Sequence, residues 1–152
     1  MGTSRPALLI VTHIDWDHAW QRPQAIATAL ARDFDVTVVS PVARRRSELS
    51  RNPRSRLRVV RVWRLPGSLR SASVFRLNNR LVAAQVGNLA RHLAFSALVV
   101  TAPECAAWIE NATVAEVFYD CMDDALAFPQ DARVRELRSV LERGLLARAR
   151  HV

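Results

Sequence analysis

The sequence contains no lysine and few glycines, and each shortage argues against a class of nucleotide-binding site. A P-loop needs a lysine to reach the β- and γ-phosphates, so a P-loop nucleoside triphosphatase is disfavoured. A dinucleotide-binding fold needs glycines between its first strand and the following helix, where the backbone approaches a pyrophosphate. The glycines all lie outside that stretch, at Gly2, Gly67, Gly87 and Gly144, which disfavours a nicotinamide-dependent oxidoreductase.

Cysteines and long apolar runs are also scarce. Cys105 and Cys121 lack the spacing of a zinc or redox motif, and a domain of 152 residues does not depend on disulfides, so we expect reduced thiols. No run is apolar for long enough to cross a bilayer, and the run at 7–11 is too short for the core of a signal peptide. These features predict a cytoplasmic protein.

What the chain has in excess is arginine. The formal net charge is +8, and arginine supplies every basic side chain. Guanidinium groups pair well with phosphate and carboxylate. The arginines are nevertheless scattered along the whole chain, which favours GC-rich coding bias over a dedicated anion site.

Apolar and β-branched runs alternate with segments of helical periodicity. Runs at 7–11, 35–40, 57–63, 97–101 and 115–119 predict five strands. Pro23 suits a first helical turn, Ser71 or Ser73 can cap a long helix, Pro103 opens a short one, and Asp131 can cap the last. The pattern predicts one α/β domain over 1–152, with a Rossmann-like, doubly wound parallel sheet in the strand order 3-2-1-4-5.

Two polar segments, 13–24 and 119–124, each follow a predicted strand. In open α/β sheets, ligands bind at the carboxyl ends of the strands, so we expect both segments to contribute to one site. In the first segment, a carboxylate beside an imidazole suits acid/base chemistry, the indoles offer flat faces to a sugar ring, and an arginine at a helix start can hold phosphate. The residues concerned are His13, Asp15, Trp16, His18, Trp20 and Arg22.

The second segment places Asp120 at the end of a strand, where a carboxylate often belongs to a site. Asp123 and Asp124 fit either a site or ordinary turn formation and helix capping. A metal site is not expected, because a run as tight as 13–18 rarely surrounds an ion without ligands from elsewhere.

A basic segment at 44–58 follows the second strand and contains one acid, Glu48. A solvated loop, contact with anionic lipid and contact with a phosphorylated acceptor all fit it. Nucleic acid is not expected to bind there, because no aromatic side chain is interleaved for base stacking.

The first segment, Trp16-Asp17-His18-Ala19-Trp20-Gln21-Arg22-Pro23-Gln24, resembles the start of bacterial GT-B glycosyltransferases related to family 4. Many members carry a similar aromatic-x-x-x-aromatic-Gln-Arg-Pro-Gln stretch before their first helix. The second segment, Tyr119-Asp120-Cys121-Met122-Asp123-Asp124 followed by Phe128, resembles the second signature of that group, although members often have Glu at the position of Asp124.

The resemblance implies the N-terminal, acceptor-side half of an enzyme that moves a sugar from a nucleotide-sugar to a cell-envelope, polysaccharide or lipid-linked acceptor. The donor would bind a C-terminal domain beyond this chain. The chain itself is expected to stop before the last strands of the N-terminal domain. The resemblance implies no cofactor and no metal. It is compatible with contact between the protein and the inner face of the plasma membrane. The implied catalytic residues are His13, Asp15, His18 and Asp120, and the implied acceptor-binding residues are Trp16, Trp20, Gln21, Arg22, Asp123 and Asp124.

Two other interpretations stay open. One is a non-catalytic basic module that binds nucleic acid or anionic membrane, but such a module does not need polar clusters at strand ends. The other is a flavodoxin-like regulatory domain with Asp120 as phosphoacceptor, but the chain has no lysine to complete that site.

Overall fold

A computed structural model describes residues 5–42, 50–51 and 56–152 of the chain. The strands are β1 (Ala7–Val11), β2 (Asp35–Val42), β3 (Ser50–Arg51), β4 (Leu57–Trp63), β5 (Ala97–Val100) and β6 (Glu116–Tyr119). The helices are α1 (Arg22–Leu30), α2 (Ala72–His92), α3 (Glu104–Trp108) and α4 (Ala132–Arg148), and a short 3₁₀ helix spans Ser68–Arg70.

The strands form one sheet in the order β3-β4-β2-β1-β5-β6. The neighbouring pairs among β4, β2, β1, β5 and β6 are all parallel, which confirms the predicted fold class and the predicted order of the five strands. The two-residue strand β3 pairs antiparallel with β4 at the edge and was not predicted, because two residues are too few for a hydrophobic pattern.

Helices cover both faces of the sheet, as a doubly wound fold requires. Leu9 and Val11 of β1 belong to a cluster that includes side chains of α2, α3 and α4. Leu8 and Ile10, which alternate with them along the strand, pack with Ala27 of α1 on the other face. Burial on both faces explains why β1 is a continuous apolar run rather than an alternating one.

The predicted helix caps are in place. Ser71 Oγ accepts a hydrogen bond from the backbone N–H of Val74, and Asp131 Oδ1 accepts from Arg133 and Val134. At the start of α1, Gln24 Oε1 accepts from the N–H of Gln21 at 3.0 Å.

Residues after α4 run alongside β6. Arg150 donates its backbone N–H to the carbonyl of Val117 at 2.9 Å, and His151 forms a parallel bridge with Phe118. The expected further strands and second domain remain a prediction.

Two expectations concern the membrane. Within the described ranges, no helix is both long and apolar enough to span a bilayer. Most of the basic segment at 44–58, including Arg44, Arg45, Arg46 and Arg54, lies outside the described residues.

Candidate functional site

A cavity of about 530 Å³ opens at the carboxyl edge of the sheet. Residues just beyond the ends of β1, β4 and β5 form part of its lining, and the segment 65–70, α2, α3, α4 and the loop after β6 contribute the rest. The polar residues around it are His13, Arg64, Ser68, Arg70, Asn78, Asn79, Thr101, Glu104, Asp123 and Arg138. The cavity lies where α/β sheets bind their ligands.

His13 lies two residues beyond β1, and its Nδ1 is 3.2 Å from the hydroxyl oxygen of Thr101, which follows β5. That hydroxyl in turn donates to Thr12 Oγ1 at 3.2 Å. Burial lowers the pKa of His13, although the carboxylate of Glu104 opposes the shift. The imidazole is therefore neutral near pH 7 and can accept a proton.

Arg64 follows β4 directly, and its backbone N–H donates to the carbonyl of Val42 at 3.1 Å. The guanidinium is half-buried, and burial lowers its pKa. Its Nη2 makes a long contact of 3.5 Å to the carbonyl of His13. It forms no ion pair with a carboxylate of the part of the chain that the structure describes.

A buried ion pair forms another part of the cavity lining. Arg138 of α4 contacts Glu104 Oε2 of α3 through Nη2 at 3.1 Å and Nε at 3.2 Å. Its Nη1 donates to the carbonyl of Ala125 at 2.6 Å and to Gln130 Oε1 at 3.2 Å. These contacts tie two helices to the loop that follows the second polar segment.

The two polar segments meet at this edge of the sheet. Arg22 Nη2 lies 2.7 Å from Asp120 Oδ1, and the Arg22 side chain is 62% exposed whereas that of Asp120 is 11% exposed. The backbone N–H of Asp120 donates to the carbonyl of Val100 at 2.9 Å, which fixes the aspartate beside the end of β5. Its second carboxylate oxygen, Oδ2, is buried and has no hydrogen-bond partner among the described residues.

Of the predicted site residues, His13 and Asp123 line the cavity. Asp15 is exposed, and its Oδ1 accepts from the N–H of Asp17, so it shapes the turn after β1. His18 is also exposed, and its backbone N–H donates to the carbonyl of Asp15 at 3.2 Å. Asp124 Oδ1 accepts from the N–H of Leu126, which is the turn-forming role left open by the sequence.

The two tryptophans of the first segment lie outside the cavity lining. Trp16 is half-buried against the apolar cluster that contains Ile10, and its backbone N–H donates to Ser40 Oγ at 2.8 Å. Trp20 is 72% exposed. Gln21 precedes α1 and is held there by Gln24.

Several cavity residues were missed by sequence reasoning. Arg64 and Thr101 follow strands directly, so the same strand-end rule that selected His13 could have found them. Asn78 on α2 bonds both backbone groups of Leu65, at 2.7 Å and 2.8 Å, and thereby holds the segment after β4. Nothing local in the sequence marks that contact.

Within residues 5–42, 50–51 and 56–152, no group of three or more His, Cys, Asp or Glu side chains is arranged to hold a metal ion.

No protein-family model and no curated protein matches the chain. Among solved structures, the chain is similar to UGT2 of Phytolacca americana in complex with UDP-2-fluoro-glucose and pterostilbene, with a TM-score of 0.46 and 14% sequence identity. The match covers 78% of this chain and 31% of that one, so this chain spans about a third of the length of that protein.

Proposed function

We propose that this chain is the acceptor-side domain of a GT-B type glycosyltransferase, which moves a sugar from a nucleotide-sugar to a cell-envelope, polysaccharide or lipid-linked acceptor. The observation that carries the proposal is the contact between the two polar segments, 13–24 and 119–124. Arg22 of the first pairs with Asp120 of the second at 2.7 Å, and each segment also contributes a residue to the cavity, His13 and Asp123.

The proposed chemistry is proton removal from the acceptor. In glycosyl transfer, the acceptor oxygen bonds to the anomeric carbon, the bond to the nucleoside diphosphate breaks with its electron pair, and the hydroxyl proton passes to a base. His13 suits that last role, because it is neutral near pH 7 and lines the cavity. Asp120 lies outside the cavity lining and its Oδ2 is buried, so it would act through its ion pair with Arg22 rather than by direct contact with the acceptor.

The other predicted residues have weaker support. Asp15 and His18 are exposed on the first loop and would have to orient parts of the acceptor outside the cavity. Arg22 can reach a phosphate only in competition with Asp120. Trp20 offers an exposed indole to a sugar ring, whereas Trp16 is engaged by the core.

Donor binding tests the domain assignment. Because the donor site is expected beyond residue 152, calorimetric titration of this chain with common uridine and guanosine diphosphate sugars should show no tight binding. A sub-micromolar dissociation constant would place the donor site here and overturn the assignment.

Transfer itself tests the function. The protein expressed from its complete natural reading frame should transfer label from one of the common nucleotide-sugars to an acceptor in an envelope extract of the source cells. His13→Ala should lower kcat about 10²-fold or more, as expected for loss of a general base. His92→Ala, at an exposed position in α2, should not. Absence of transfer from every donor would contradict the proposed function. Full activity of His13→Ala would contradict the role of His13.

A further inference from the structure

Three guanidinium groups line the cavity, and their surroundings differ. Arg138 is buried and paired with Glu104 at 3.1 Å, and Arg70 is exposed to solvent. Arg64 is half-buried yet forms no ion pair with any carboxylate of the described ranges. A charge withdrawn from water without a counter-charge is unfavourable, so Arg64 is suited to an anion that the described part of the chain does not supply.

The acids that influence Arg64 electrostatically already have other partners. Glu104 and Asp15 are the carboxylates that act on its guanidinium electrostatically. Glu104 accepts two contacts from Arg138, and Asp15 Oδ1 accepts the backbone N–H of Asp17. Asp123, the remaining acid of the cavity, is exposed. Neither Glu104 nor Asp15 neutralises Arg64 at contact distance.

The rest of the lining suits a ligand with a ring or an apolar body. Phe128 is 49% exposed and offers most of the aromatic surface, whereas Phe75 and Trp108 border the cavity but are almost fully buried. Asn79 accepts a hydrogen bond from Trp108 Nε1 at 2.9 Å through Oδ1. Its amide nitrogen has no partner among the residues that the structure describes and can donate to a ligand oxygen.

We propose that the cavity binds an acceptor bearing an anionic group, a phosphate or a carboxylate, which pairs with Arg64 while the adjoining ring rests against the aromatic lining. The proposal rests on the proposed function and narrows its acceptor class to anionic saccharides and phosphate-bearing lipids. A guanidinium recognises both anions through the same forked pair of N–H donors.

The first test compares charged and neutral sugars on the wild-type chain. Saturation-transfer NMR and calorimetry would measure binding of glucuronate, glucose 1-phosphate and methyl glucoside at equal concentration. The two anions should bind more tightly than methyl glucoside, and added salt should weaken them. Equal binding of all three, or preference for the neutral sugar, would overturn the proposal without reliance on any variant.

The second test uses variants matched in charge. Arg64→Gln should weaken binding of the anionic sugars about tenfold or more, as expected when a hydrogen-bonded charge is lost. Arg76→Gln removes the same charge from an exposed position of α2 outside the cavity lining and should leave binding unchanged. The thermal midpoint of Arg64→Gln should be at least that of the wild type, because a half-buried charge without an ion-pair partner among the described residues is removed. Equal losses in both variants would indicate a general charge effect and overturn the site.

Two further ligands identify the source of the anion. Arg64-dependent binding to vesicles containing phosphatidylglycerol, but not phosphatidylcholine alone, would assign the anion to a lipid headgroup and support the proposal. Arg64-dependent binding of UDP that is tighter than that of either anionic sugar would assign the cavity to the donor and overturn it.

The two proposals can fail separately. Anion binding at Arg64 without sugar transfer by the natural protein would retain the site and reject the glycosyltransferase. Sugar transfer to neutral acceptors alone would retain the glycosyltransferase and reject the anion site at Arg64.

Discussion

Breaking the ion pair between Glu104 and Arg138 should destabilise the fold strongly, although neither residue is assigned a chemical role. Their side chains are 8% and 5% exposed. Removal of one partner leaves the other as an uncompensated buried charge, which typically costs about 3–5 kcal/mol. Arg138→Met also deletes the bonds to Ala125 and Gln130, so it should reach that range, and Glu104→Gln should cost about 3 kcal/mol.

Urea denaturation followed by circular dichroism would measure these losses. At about 2–4 °C per kcal/mol for a chain of this size, the thermal midpoint should fall by about 6–20 °C. The double variant should cost less than the sum of the single variants by about 1–3 kcal/mol, because the second change removes the orphaned charge. Glu116→Gln, which breaks the exposed pair with Arg150, should cost no more than about 1 kcal/mol.

The reasoning would be refuted if Glu104→Gln cost no more than Glu116→Gln. That result would mean that water reaches Arg138 freely through the cavity, so that the low dielectric assumed for the pair does not apply.

Three further predictions concern His13, the ion pair between Arg22 and Asp120, and the arginines at 44–46. Because burial lowers the pKa of His13 from 6.5, the unfolded chain binds its proton first, so His13 should reduce stability as pH falls from about 7 through that pKa. His13→Gln should flatten the fall of the melting temperature between pH 7.5 and 5.5, whereas exposed His92→Gln should not; equal slopes would contradict the assignment. A double-mutant cycle of Arg22→Gln and Asp120→Asn should give a coupling of at most about 1 kcal/mol, since Arg22 is 62% exposed; a larger value would mean a desolvated pair. Changing the arginines at 44–46, which lie outside the described residues, to serine should reduce co-sedimentation with anionic vesicles at low salt, at about 1 kcal/mol per arginine. Unchanged vesicle binding would indicate a merely solvated loop, and tight binding to a short duplex without vesicle binding would favour the basic-module alternative.

The strand order could be predicted because each strand carries its own signal. A buried parallel strand needs an unbroken apolar run, and right-handed crossovers then restrict the order of the runs. The strand β3 has no such signal, because its two residues are too few to show a hydrophobic pattern. Strands with a long apolar run could therefore be predicted from the sequence, and the two-residue strand β3 could not, whatever the strength of its pairing.

The site was predicted only in part, for a related reason. A strand-end rule selects positions but not side-chain directions, so it selected Asp15 and His18 together with His13, and only His13 lines the cavity. The contact between Glu104 and Arg138 joins residues 34 positions apart on two helices, and no local sequence pattern predicts it. The contact depends on how α3 and α4 pack against each other in the folded domain.

The meeting of His13 with Thr101 follows from the register of the sheet. Val11 pairs with Val100 and the N–H of Thr101 donates to the carbonyl of Val11 at 3.3 Å, so the residues just beyond the two strands are held side by side. A shift of one residue in this pairing would turn the side chains beyond each strand toward the opposite face of the sheet. The apolar residues of β1 alternate between two separate clusters, and a slip would exchange Leu9 and Val11 with Leu8 and Ile10. The same packing that stabilises the core therefore fixes the imidazole at the cavity, so a substitution in β1 that alters register should displace His13 and destabilise the domain together.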